Sequence, residues 1–279
     1  MFFILSKIFM CLVTLRLFLY KKNFFKQTKL PVKVISVGNI SLGGNGKTPF
    51  VILLESLLYK QNKKIAVIEK GYKSGLKNKD GVVLVKKDSF IPNTISDEPL
   101  LVYNNLHNGS ILSVHNNKTV ASINALKLNH DTDFIIIDDG FQHLKLFRNK
   151  DIVLIQAGNN IFKEQLIPKG KLRESYSSLK RADIVVITKT ELVDDDTLLE
   201  IKSKIKQINN RISLFCAKTN LTFSNTIKKG SKIIPVSALA SSKHFHKSLK
   251  DNGLFPLLRK AWVLIYSLTV PSGPSIVAW

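Results

Sequence analysis

An α/β layered fold is what this sequence predicts, and three observations predict it. Short apolar, β-branched runs recur along the chain. Stretches with helical spacing lie between them. The first such run ends in a glycine-rich turn that opens a helix. Alternation of this kind builds a largely parallel sheet with helices on both faces. The expected strands cover 32–37, 65–69, 82–85, 111–114, 134–138, 152–156, 184–188 and 213–217; the expected helices cover 47–59, 97–106, 118–128 and 197–208. Strands buried on both faces read as continuous apolar runs rather than alternating ones, and the runs at 134–138 and 184–188 have that character. Residues 70–95 are irregular and polar, expected as a loop or small hairpin flanking the sheet. No repeat or low-complexity linker interrupts the pattern, and a second, smaller unit is expected from about residue 211 to 279.

Composition narrows the class. A chain of 279 residues has room for roughly two domains at about 150 residues each. A hydrophobic content of 44% excludes a disordered chain. Cys11 and Cys216 are the two cysteines, too few for a disulfide scaffold or a structural zinc site. Forty-two Lys and Arg against twenty Asp and Glu leave a net charge of +22, which points to an anionic partner. Nucleic acid is not expected to be that partner, because the chain carries no aromatic RNA-binding motif, zinc finger or recognition helix.

The basic charge is placed unevenly. Residues 1–54 hold eight Lys or Arg and no acid; the first is Glu55. Residues 1–20 contain sixteen apolar side chains, about the length that spans a bilayer as a helix. Lys7 and Arg16, nine positions apart, fall on opposite helix faces, so the helix is not cleanly amphipathic. No small-residue cleavage site follows. Instead comes Lys21-Lys22-Asn23-Phe24-Phe25-Lys26, whose lysines suit anionic head groups at about 1 kcal/mol each. Residues 1–30 are therefore read as a membrane-associated, partly inserted segment, with a buried core helix as the alternative.

The sharpest local signal spans residues 34–49. An apolar strand runs into Ser41-Leu42-Gly43-Gly44-Asn45-Gly46-Lys47-Thr48 and then a helix. That context is the one a P-loop needs: glycines let backbone N–H groups converge on phosphate oxygens, Lys47 reaches the β- and γ-phosphates, and Thr48 places its hydroxyl on Mg²⁺. The template asks for Gly at position 41, where Ser41 stands; Gly43 and Gly44 supply the flexibility instead. Such a loop also needs an acid for the metal at the end of a neighbouring buried strand. The run 134–137 ends in Asp138-Asp139-Gly140, and both aspartates are candidate Mg²⁺ ligands.

These motifs together resemble the tetraacyldisaccharide 4′-kinase family, the lipid A 4′-kinases. The resemblance rests on Val37-Gly38-Asn39 leading into the loop and on Asp138-Asp139-Gly140-Phe141-Gln142-His143. It extends to Asp97-Glu98-Pro99, to Pro168-Lys169-Gly170-Lys171-Leu172-Arg173-Glu174, to Lys180-Arg181-Ala182-Asp183 and to Thr188-Lys189. It covers roughly residues 1–210 and implies a P-loop NTPase-like layered sheet with a membrane-associated N-terminal helix. The implied reaction moves the γ-phosphate of ATP, with Mg²⁺, to the 4′-hydroxyl of an acylated glucosamine disaccharide 1-phosphate. It implies a place on the cytoplasmic face of the inner membrane of a Gram-negative bacterium, against an anionic lipid surface, with no protein partner.

The resemblance also assigns roles. Asp97 is the expected base and Lys47 its catalytic companion. Asn39, Glu98, Gln142, His143, Arg173 and Glu174 are expected to face the substrate. Read from residues alone, Ser96-Asp97-Glu98-Pro99 is a helix start, with an N-cap, acids in the first turn and an early proline; Arg173 and Glu174 read alone as a surface ion pair. Glu69-Lys70-Gly71-Tyr72 matches an Arg-Gly-Tyr element of the family with Lys70 in place of Arg, which keeps charge and loses the planar fork.

The match fails toward the C-terminus. Residues 236–255 still resemble the helix preceding a smaller domain, but the family's Asp-His-His and Thr-Thr-Glu-Lys-Asp segments do not follow. The unit over 211–279 is accordingly expected to be incomplete or atypical, and lipid phosphorylation impaired. The alternative function is a nucleotide-dependent membrane-associated switch or ATPase, since Thr188-Lys189-Thr190-Glu191 echoes a guanine-reading element with both ends altered.

Overall fold

The computed structural model describes residues 2–71, 81–87, 95–218, 229–236, 243–256 and 276–278. They fall into two compact units, Met1–Lys218 and Thr219–Trp279. The first holds β1 (Lys33–Asn39), α2 (Lys47–Tyr59), β2 (Ile65–Glu69), β3 (Val82–Val85), α3 (Asp97–Asn105), β4 (Ile111–Val114), α4 (Lys118–Leu128), β5 (Phe134–Asp138), β6 (Lys150–Gln156), β7 (Ile184–Thr188), α5 (Asp195–Ile208) and β8 (Ser213–Ala217), preceded by α1 (Phe2–Lys21). Eight strands form one sheet in the order β3-β4-β2-β5-β1-β6-β7-β8. All neighbours are parallel except β3, which runs antiparallel to β4 at the edge.

Successive strand residues point to opposite faces, and the core divides accordingly. Ile136, Ile152 and Leu154 pack with Val51 of α2 and Val102 and Tyr103 of α3 on one face. Ile135 and Ile137 meet Ala121 and Ala125 of α4 on the other, and Val153 and Ile155 meet Ile201 and Ile205 of α5. The central strands are therefore mostly apolar along their middle positions, which is why their runs are nearly continuous in the sequence.

The expected strand at 82–85 is β3, an antiparallel strand at the sheet edge, while residues 72–80 and 88–94 lie outside the described residues. The division expected after residue 210 falls later, because β8 pairs with β7 along its whole length and stays in the large sheet.

Helix α1 is not a core helix. Ser6 is its one buried residue among those described, and Phe2, Phe3, Ile4, Leu5, Ile8, Leu12, Leu15 and Phe18 are exposed. It is long and apolar enough to cross a membrane. Polar groups fix it to the body: Ser6 Oγ donates to the Leu166 carbonyl at 2.9 Å and accepts from Lys169 N at 3.2 Å, and Arg16 Nη2 donates to the Gln142 carbonyl at 3.0 Å.

The second unit has β9 (Lys232–Val236), α6 (Lys243–Asp251), β10 (Phe255–Pro256) and β11 (Ile276–Ala278), with strand order β10-β9-β11. Phe245 and Leu249, one helical turn apart, bury against Ile233 and Leu254. The expected helix within 236–255 is thus α6, and residues 257–275, where the atypical tail was noted, lie outside the described residues.

Candidate active site

The site gathers at the carboxyl ends of β1, β2, β5 and β7, where α/β sheets bind ligands. Strand β1 ends at Asn39, fully buried, and the chain turns into the loop 40–46. Gly38 lies so close to Phe141 that an added Cβ would sit 2.6 Å from that residue's own Cβ. The start of the loop is held by a short ladder: Leu42 N donates to the Lys171 carbonyl at 2.7 Å, and Arg173 N to the Ile40 carbonyl at 2.8 Å. Asn45 Nδ2 donates to Ser41 Oγ at 3.0 Å. Gly46, at φ 78°, is the N-cap of α2, and no side chain caps the helix. A helix N-terminus left uncapped beside a glycine turn offers its amides to an anion.

The far wall is the Thr188-Lys189 pair at the end of β7. Thr188 Oγ1 donates to the Asn45 carbonyl at 3.2 Å and Lys189 Nζ to the Gly44 carbonyl at 3.1 Å. The resemblance to a guanine-reading element therefore gives way here to a buttress for the loop backbone.

Thr48 Oγ1 donates to Asp138 Oδ2 at 3.0 Å. Lys47 Nζ stands 3.7 Å from Asp139 Oδ1, and Arg173 Nη1 donates to both oxygens of Asp139 at 2.9 and 2.8 Å. Burial pushes the Asp139 carboxyl upward, but the Lys47 and Arg173 charges outweigh it and hold the pKa below the usual range. The adjacent aspartates thus divide the work. Asp139, at φ 50°, carries the cationic side chains, whereas the buried Oδ1 of Asp138 accepts from no donor among the described residues. Hydroxyl and carboxylate oxygens of this kind suit Mg²⁺, so Thr48 and Asp138 fit the metal that the P-loop implies.

Lys118, at the first turn of α4, is a site residue that sequence reasoning missed. Its buried ammonium donates to the carbonyls of Asp138 and, at 2.8 Å, Asp139. Desolvation lowers its pKa despite the surrounding carboxylates. Glu69 closes β2. It is 5% exposed and lies against Asp138; burial and that neighbour raise its pKa well above the usual carboxylate value. The available signal was positional: both residues lie where a strand end or helix start meets this sheet edge.

The remaining expected residues are distributed as follows. Gln142 Nε2 donates to the Asn39 carbonyl at 2.9 Å, and both side-chain polar atoms of Asn39 are buried without a hydrogen-bond partner among the described residues. His143 Nε2 lies 3.1 Å from Thr119 Oγ1, and its pKa is lowered to about 4 by burial and by Lys118 and Arg148. Arg173 and Glu174 do not form the surface ion pair of the simpler reading. Glu174 is 3% exposed and pairs with Arg181 at 2.8 Å, so its carboxylate serves an internal contact rather than an open substrate face. Asp97 and Glu98 are exposed on the first turn of α3 behind Ser96, whose side chain makes no capping bond. Of the two, Glu98 contributes to the field at Glu69.

A parallel sheet whose first strand opens through a glycine loop into Lys47-Thr48, opposite an aspartate on the neighbouring strand, defines a P-loop phosphotransferase. The chain belongs to the tetraacyldisaccharide-1-P 4′-kinase family, whose profile matches residues 1–262. The tetraacyldisaccharide 4′-kinase of Halothermothrix orenii is 32% identical over 90% of this chain and 70% of its own length. That of Elusimicrobium minutum is 34% identical over 93% of this chain and 72% of its own. The crystal structure of LpxK from Aquifex aeolicus in complex with ATP superposes with a TM-score of 0.76 at 28% identity, covering 99% of this chain and 86% of that one.

Proposed function

We propose that this chain transfers the γ-phosphate of ATP to the 4′-hydroxyl of tetraacyldisaccharide 1-phosphate, a step of lipid A biosynthesis. The observation that carries the reading is the convergence of Lys47, Thr48, Asp138, Asp139 and Arg173 on the mouth of one uncapped helix.

Phosphoryl transfer is mainly positioning and charge neutralisation. The amides of residues 43–48 cradle the β- and γ-phosphates, and Lys47 swings from Asp139 to the phosphate oxygens. Bound Mg²⁺, held by Thr48 and Asp138, supplies further neutralisation of the triphosphate. Arg173 keeps Asp139 charged and in place once Lys47 has turned to the nucleotide. Asp97 takes the proton of the sugar 4′-hydroxyl as its oxygen bonds to the γ-phosphorus and the bond to the β-phosphate oxygen breaks. A carboxylate within hydrogen-bond reach of that hydroxyl is what the step requires. Gln142 and His143 border the same edge of the sheet and orient the sugar, while the fully buried Asn39 supports Gln142 through its carbonyl.

The exposed apolar face of α1 and the basic run 21–26 support docking on an anionic bilayer, at the cytoplasmic face of the inner membrane, where an acylated disaccharide resides. Incubation of the chain with labelled ATP, Mg²⁺ and the disaccharide 1-phosphate tests the reading. Label in the lipid supports it; ATP hydrolysis that ignores the lipid favours the membrane ATPase instead, and absence of ATP binding overturns both.

A further inference from the structure

The carboxyl of Glu69 has no role in the account above. Strand β2 pairs in parallel with β5, Ile68 opposite Ile137, so Glu69 stands beside Asp138 at the sheet edge. Both side chains are at least nine-tenths buried, at 5% and 4% exposure. Glu69 Oε1 and Asp138 Oδ1 each accept no hydrogen bond from a donor among the described residues, and the two carboxyls lie within reach of one shared proton. The charge of Lys118 reaches both carboxyls, but its ammonium donates its hydrogen bonds to the backbone carbonyls of Asp138 and Asp139. Two adjoining buried carboxyls are costly unless a shared proton or a cation joins them. A hard divalent cation at Thr48 and Asp138 meets that need, since such ions collect carboxylate oxygens and water.

We propose that Glu69 belongs to the divalent-cation site, as a further carboxylate beside Asp138 and Thr48. The proposal rests on the reading of the loop as a nucleotide and metal site. Within it, Glu69 acts on cation capture rather than on the transfer of the proton or the phosphoryl group. It holds the ion through its own oxygen or through a water on the ion, and it keeps the Asp138 carboxylate turned toward Thr48.

Binding of Mn²⁺ to the intact chain, followed by the loss of the free-ion spectrum in electron paramagnetic resonance, tests this with and without a non-hydrolysable ATP analogue. Glu69→Gln is expected to weaken Mn²⁺ binding by about tenfold or more, the scale on which supporting metal-site residues act. In EDTA the same variant should melt no lower than the wild type, because a carboxyl facing a carboxyl has been removed. Asp138→Asn serves as the control and should also weaken binding. Unchanged Mn²⁺ affinity in Glu69→Gln, with Asp138→Asn weakened, overturns the inference and leaves the site reading standing. If Asp138→Asn is unchanged too, or the wild type takes up no Mn²⁺, the metal-site reading itself fails. A lower melting temperature of Glu69→Gln in EDTA assigns Glu69 a structural role and overturns the inference. Should Glu69→Gln not fold, Glu69→Ser, which withdraws the carboxyl while keeping a small polar group, is measured in the same way.

Discussion

Thr48 Oγ1 and Asp138 Oδ2 meet at 3.0 Å, joining the first turn of α2 to the end of β5. The bond links two segments ninety positions apart in sequence and sets side by side the two side chains that would hold the proposed cation. Thr48→Ala and Asp138→Asn are each expected to lower kcat/KM by about 100-fold or more, as groups aimed at developing charge do. The double variant should fall little below the worse single one, because both act through one ion. Steady-state kinetics of the three variants against Mg²⁺ concentration measures this.

In the proposed mechanism Asp97 acts on the other reactant. Asp97→Asn is expected to lower kcat by roughly 10²- to 10⁴-fold, the range of general-base catalysis, with affinity for an ATP analogue unchanged. Lys47→Ala should instead weaken the analogue as well. Calorimetric titration alongside turnover separates the two, and full turnover of Asp97→Asn removes it from the mechanism.

Arg173 donates from one nitrogen to both oxygens of Asp139. Arg173→Lys keeps a charge but loses the rigid, planar placement of the Nη1 donor between the two oxygens. A loss of about tenfold in kcat/KM is expected, the low end for a charge-assisted hydrogen bond. Glu174→Gln, which cuts the internal pair with Arg181, should lower stability in urea titration and leave KM for the lipid near the wild-type value.

His143 carries a pKa of about 4, below its usual 6.5, through burial and the neighbouring Lys118 and Arg148. The unfolded chain therefore binds the proton more readily than the folded one. The stability this group contributes is complete above pH 6.5 and is lost as pH falls toward about 4. Urea midpoints between pH 7 and pH 4 should drop more for the wild type than for His143→Gln.

Lys118→Met removes the buried donor from the carbonyls of Asp138 and Asp139. Each unsatisfied carbonyl costs about 1–3 kcal/mol, offset in part by no longer burying an ammonium. A net loss of about 1–3 kcal/mol in urea denaturation is expected, together with weaker Mn²⁺ binding as Asp139 leaves its φ of 50°.

Much of this protein was legible along the chain. The continuous apolar runs at 134–138 and 184–188 announced strands covered on both faces, and the glycine turn before Lys47-Thr48 announced a phosphate loop. Period and local backbone demands are written in neighbouring residues, so they survive without tertiary information. The edge strand β3 was harder, since a short run does not reveal its direction, and its antiparallel pairing with β4 depends on which neighbour is free. Asp97-Glu98-Pro99 likewise looked like an ordinary helix start, and structurally it is one.

The layered sheet, the loop, the acid pair and the apolar N-terminal helix all follow from residue type at short spacing. Which side chains share the site is set by folding alone. Folding gave Arg173 to Asp139, turned Glu174 inward to Arg181, and brought Lys118 and Glu69 to the same sheet edge. Those partnerships join residues far apart in the chain, and burial sets their strength. Neither the distance in space nor the loss of solvent is encoded in any local window.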